Sequence, residues 1–111
     1  MIQAVPPFPT LDFPTSTSAP TDNITATLTE RGQRYGKFTD HARVTQALKV
    51  ICTRHAETQG IELEPDQQEA IDMICHKLGR IVNGDPNYAD SWVDIAGYAK
   101  LVADRLEGVA R

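Results

Sequence analysis

The chain has 111 residues, room for one domain, with 41% hydrophobic residues and a formal net charge of −4. Its acidic balance, with a pI of about 5.2, excludes a general nucleic-acid binder, which needs a basic surface; only a local basic patch remains open. No run of about 18 apolar residues offers a membrane span, and MIQAVPPFPTLDFP lacks the basic start and apolar centre of a signal peptide.

Residues 1–22 hold five of the seven prolines, at positions 6, 7, 9, 14 and 20. Repeated prolines remove backbone donors and break helix and strand alike, so this stretch reads as a proline-rich flexible arm preceding a domain over 23–111. Phe8, Leu11 and Phe13 are unusual in a linker and would suit docking on a neighbouring subunit. In ITATLTERGQR, residues 24–34, the alternation of Ile24, Ala26 and Leu28 resembles a strand, but no second strand exists to pair with it. A short helix ending near Tyr35-Gly36 is the better reading.

The second helix starts with Thr39 or Asp40 as cap and places Val44, Ala47, Leu48 and Ile51 on one face. It ends near Thr58-Gln59-Gly60. Pro65 suits the first position of the third helix, with Asp66 and Glu69 at the positive end of its dipole. Ile71, Ile74, Leu78, Ile81 and Val82 form its core stripe, and Asn83-Gly84-Asp85-Pro86 stops it. The fourth helix begins at Asp90 or Ser91, where Ser91 and Asp94 have capping-box spacing. Trp92, Ile95, Ala99, Val102, Ala103 and Leu106 share its apolar face, and Gly108 ends it. The short link between the third and fourth helices makes them antiparallel neighbours. The fold expected is all-α: a small helical bundle with an antiparallel hairpin and the proline-rich arm. Its small single-subunit core points to a homo-oligomer. Cys52 and Cys75, far apart in apolar helical patterns, read as buried reduced thiols of a cytoplasmic protein.

Polar residues also form lines. Glu69, Asp72, His76, Arg80 and Asn83 run along the third helix opposite its apolar stripe, as on any amphipathic helix. On the fourth helix, Leu101 and Gly97 accompany Asp90, Asp94, Tyr98 and Arg105 on the side away from the stripe. A glycine in a helix interior costs roughly 1 kcal/mol against alanine, so that side is expected to pack against something. His41 and His55 border the apolar stripe of the second helix, where an imidazole is more often a hydrogen-bonded core residue than a ligand. Arg31, Arg34 and Lys37 surround the Tyr35-Gly36 turn, and Lys77 and Arg80 sit on the third helix. In an acidic chain this is a noticeable basic group, suited to phosphate, although a run of charges is more often a solvated face. No glycine-rich phosphate loop, nucleophile elbow or zinc spacing is present.

The segments ERGQRYGKFTDHARVTQALK and QQEAIDMICHKLGRIVNGDPNYADSWVDIAGYAKLVADRL resemble a family of small phage and prophage proteins. That family shares Arg-Tyr-Gly-x-Phe-x-x-His-Ala, His-Lys-x-x-Arg-Ile-x-Asn-Gly-Asp-Pro and Asp-Ser-Trp-x-Asp-Ile-Ala-Gly-Tyr-Ala. The resemblance runs from about Glu30 to Leu106 and implies a helical fold and a host-cytoplasm setting, but no activity. A more distant likeness is to the MazG-type all-α nucleoside triphosphate pyrophosphohydrolases, which hold Mg²⁺ on Glu-x-x-Glu and Glu-x-x-Asp pairs. Glu69 and Asp72 match one pair. Asp90 and Asp94 have the wrong spacing for the other.

Three expectations follow. The first is a binder of a phosphate-bearing nucleotide through Arg31, Arg34, Lys37, Lys77 and Arg80, with His41, His76 and Asp94 nearby and Tyr35, Trp92 or Tyr98 for stacking. In a phage it would sequester a nucleotide signal of host defence. The second is a MazG-like Mg²⁺ enzyme with Glu69, Asp72, Asp90 and Asp94 as ligands. The third is a protein-interaction module acting on a host protein through the arm.

Overall fold

A computed structural model describes the chain from Ala19 to Arg111, with side chains from Asn23 onward. The docking expected of Phe8, Leu11 and Phe13 lies outside the described residues. Four helices follow in order: α1 (Ala19–Tyr35), α2 (Phe38–Thr58), α3 (Pro65–Asn83) and α4 (Ala89–Leu106). The described residues contain no strand, and the all-α expectation holds. Helix α1 begins inside the stretch read as an arm. The described residues divide into two units, the first ending at Arg31 and the second running over 32–111; α2, α3 and α4 lie in the second.

Local signals set most helix ends. Pro65 opens α3, and the Gln67 carboxamide oxygen accepts the Glu64 N–H at 2.8 Å. Gly36, Gly60 and Gly108 all have positive φ. Two caps differ from expectation. Helix α2 starts one residue before Thr39, from Lys37 and without a side-chain cap. Helix α4 starts from Tyr88, also without one. The Ser91–Asp94 capping box therefore does not form, because the helix has already begun when Ser91 is reached.

In the second unit α3 lies between α2 and α4, and α2 and α4 do not touch each other. Both contacts are antiparallel. His41 near the start of α2 meets His76 and Gly79 towards the end of α3. Asp66 at the start of α3 meets Arg105 at the end of α4. On α3 the residues facing the two neighbours lie about half a turn apart, since residues advance about 100° each. In this small helical bundle the three helices lie side by side as one layer, with α3 in the middle.

This arrangement corrects the expected core. Among the described residues the buried apolar side chains are Ala70, Cys75 and Ile81, whereas His41, Thr45, Ser91 and Asp104 are buried polar groups. The α2 stripe does not face α3. Ala47 is exposed, Val44 and Leu48 are half-buried, and Ile51 is 65% exposed. Val82 on α3 and Trp92 and Leu106 on α4 are also exposed. Cys52, expected to be buried, is exposed; Cys75 is buried and both thiols are free. The physical reason is that each contacting side of α2 and α4 is offset about a quarter-turn from its apolar stripe.

Candidate functional site

The site is built where two turns meet. The 34–37 turn between α1 and α2 docks on the 83–85 turn after α3. The Asn83 amide donates to the carbonyls of Tyr35 (2.9 Å) and Lys37 (3.1 Å), and the Asp85 N–H donates to the Arg34 carbonyl at 2.7 Å. Both turns need glycine at the join. Gly36 has φ 81°, a left-handed conformation that only glycine adopts freely, and a Cβ there would collide with the Asn83 carbonyl. A Cβ on Gly84 would collide with the backbone of Arg34 and Tyr35. Much of the Arg-Tyr-Gly and Asn-Gly-Asp-Pro sequence is thus explained by docking of main chain on main chain.

This docking sets out a row of cations and rings. The Arg80 guanidinium lies 4.2 Å from the Tyr35 ring centroid, and that of Arg34 lies 4.1 Å from the Tyr88 ring. Tyr35 and Tyr88 meet edge to face at 6.1 Å. The Tyr88 hydroxyl donates to Asp90 at 2.9 Å. No carboxylate among the described residues lies within ion-pair distance of Arg80.

Next to Arg80, in the α2–α3 contact, His41 and His76 pair through Nε2 and Nδ1 at 3.3 Å, with their rings edge to face. One nitrogen donates and the other accepts. Thr45 Oγ1 lies at the limit of hydrogen-bond distance from His41 Nε2. His41 Nδ1 is buried and makes no well-formed hydrogen bond; it rests against the backbone of Gly79, whose polarity still favours the charged ring slightly. Burial lowers the pKa of both imidazoles, and the Arg80 charge lowers them further. That of His76 falls to about 4. Both rings are neutral at pH 7.

The other expected residues go elsewhere. Lys77 is largely covered and pairs with Asp94 at 2.9 Å across α3 and α4, so its charge is already neutralised. Trp92 donates its indole N–H to the Pro86 carbonyl at 2.9 Å, bracing the α3–α4 turn. Lys37 is exposed at the start of α2. Tyr98 lines an open groove along α4 with Val93, Gly97 and Leu101, where a Cβ on Gly97 would meet nothing. On the side expected to pack, Asp94 and Arg105 do meet α3, whereas the strip around Gly97 and Leu101 is open in a single chain. Arg31 is exposed and belongs to the first unit. Tyr88 is the site residue that sequence reasoning missed. It lies outside the helical periodicities, and only its place just after the Asn-Gly-Asp-Pro break hinted at a role.

The four carboxylates do not converge. Asp72 accepts from Gln68, Asp90 from Tyr88, and Asp94 pairs with Lys77, while Glu69 is exposed. Among the described residues no three His, Cys, Asp or Glu side chains gather where they could hold a metal ion. The i, i+3 and i, i+4 spacings place each pair on one helix, but Asp94 turns to Lys77 instead of toward Asp72. No helix among the described residues is long and apolar enough to cross a membrane.

A family model described as "Domain of unknown function (DUF6378)" matches residues 22–106. No curated protein and no solved structure matches the chain.

Proposed function

The chain belongs to the DUF6378 family, a domain of unknown function, and from the chemistry of its own residues we propose that it binds a phosphate-bearing nucleotide at the two docked turns. The observation that carries this reading is Arg80. Its guanidinium lies over the Tyr35 ring and has no carboxylate partner among the described residues. A stacked guanidinium keeps its N–H edge for phosphate oxygens, in two-pronged geometry, at little entropic cost. Arg34 on Tyr88 supplies a second cation, and the half-buried ring of His76, neutral at pH 7, lies beside Arg80 without adding charge. The resemblance to small phage and prophage proteins suggests the setting: sequestration of a nucleotide signal of host defence.

The test is calorimetric titration and thermal shift with ATP, a cyclic dinucleotide and cyclic ADP-ribose, each with and without Mg²⁺. A ligand at about 100 times its dissociation constant adds roughly 2.7 kcal/mol, a shift of several degrees. Binding without turnover, weakened about tenfold or more by Arg80→Ala, is the expected result. No shift across the panel, or unchanged affinity in Arg80→Ala, overturns the assignment. Mg²⁺-dependent product formation would replace sequestration by hydrolysis.

A further inference from the structure

The three helices of the second unit carry their apolar stripes to one face of the layer. On α3, Leu78 and Val82 lie between the side that meets α2 and the side that meets α4. On α2, Val44 and Ile51 lie about a quarter-turn from His41, Thr45 and Cys52, which face α3. On α4, Trp92 and Leu106 lie about a quarter-turn from Ser91, Asp94 and Arg105. Because both outer helices run antiparallel to α3, these quarter-turns point to the same side. None of the six residues carries a charge, and Ile51, Val82, Trp92 and Leu106 are each more than half exposed.

We infer that this face is the interface of a homodimer, with a second copy of the layer packed against it. Three observations point to a second copy. The first is area. Helix α3 has 19 residues, about 28 Å at 1.5 Å each, and three helices spaced about 9 Å span about 25 Å. The face is therefore roughly 700 Å², close to the ~800 Å² per partner of a stable interface. The second is need. With Ala70, Cys75 and Ile81 as the buried apolar residues among those described, one layer has too little core to hold its fold, so its cover must be present whenever the chain folds. A second copy of the chain meets that condition without any other component. The third is composition. A largely apolar face spanning every helix of the layer, with Asp40 paired to Arg43 at the start of α2, resembles a domain core cut in half, as in obligate homodimers. Helix α1, whose large aliphatic residues between 23 and 35 are Ile24 and Leu28, carries too little apolar surface to cover three helices. A two-fold axis through the face closes the assembly.

The test uses the full chain. Sedimentation equilibrium should give a dimer, and Ile51→Glu with Val82→Glu should raise its dissociation constant by about 30-fold or more. Leu101→Glu, on the opposite face of α4, should leave it unchanged. A monomeric wild-type chain at about 100 μM, above the range of most stable dimers, overturns the inference; so does a dimer broken by Leu101→Glu and not by the paired substitution. If the paired variant does not fold, the single tryptophan decides. Trp92 fluorescence should shift to the red as the wild-type chain is diluted through its dissociation constant. An emission maximum that stays at an exposed-indole wavelength at every concentration places the partner elsewhere.

Discussion

Asn83 on α3 holds the main chain of Tyr35 by a 2.9 Å hydrogen bond across 48 residues of sequence. A second bond from the same amide reaches Lys37. One side chain thus fixes the turn that carries the proposed ligand residues. Asn83→Ala should lower stability by about 1–2 kcal/mol, or several degrees of melting temperature. Asn83→Asp should do at least as much harm, because a carboxylate cannot donate. A melting temperature unchanged in both variants would show that the turns dock without this clamp.

Gly79 is where α2 and α3 come closest. A Cβ there would collide with Thr45 Oγ1 and press to 3.0 Å on the His41 ring. Gly79→Ala should destabilise by about 1–3 kcal/mol despite the better helix propensity of alanine. In a Thr45→Ala background part of that cost should vanish, giving a measurable coupling in a double-mutant cycle. Strict additivity in urea titrations would place the strain elsewhere.

Acid should weaken the α2–α3 contact. The folded pKa of His76 is about 4, below the ordinary value near 6.5, and that of His41 is also lowered. Below pH 6.5 the unfolded chain takes up protons that the folded chain resists. Stability is therefore full above about pH 6.5 and falls as pH drops toward 4. Melting temperatures across pH 4–8 should show this slope, and His76→Gln should flatten it. A variant with an undiminished slope would assign the acid loss to carboxylates instead.

The two thiols should differ in reactivity. Burial raises the pKa of Cys75, and the adjacent Cys52 thiol raises it further. Cys52 is exposed. Native iodoacetamide labelling followed by mass spectrometry should modify Cys52 first and Cys75 only as the chain opens, since the thiolate is the reacting form. Equal rates would mean that the α2–α3 contact opens readily at this point.

Much of the architecture is legible in local sequence. Proline at Pro65, the Asn83-Gly84-Asp85-Pro86 break and the glycines after α1, α2 and α4 act within a few residues of themselves, so the helices and their ends follow from the chain alone. The apolar stripes are legible too, but not their fate. Val44, Ile51, Val82 and Leu106 read as core because a stripe implies a cover, yet periodicity cannot say which neighbour provides it. The tertiary structure instead sets His41, Thr45 and Gly79 in the α2–α3 contact, and it turns Asp94 to Lys77 and away from Asp72. It also brings Tyr88 beside Arg34, a pairing across 54 residues that no helical spacing contains. Sequence determined which faces each helix possesses, because a helix repeats every 3.6 residues. Which of those faces meet was decided only by packing, which depends on the shapes and close approaches of residues distant in the chain.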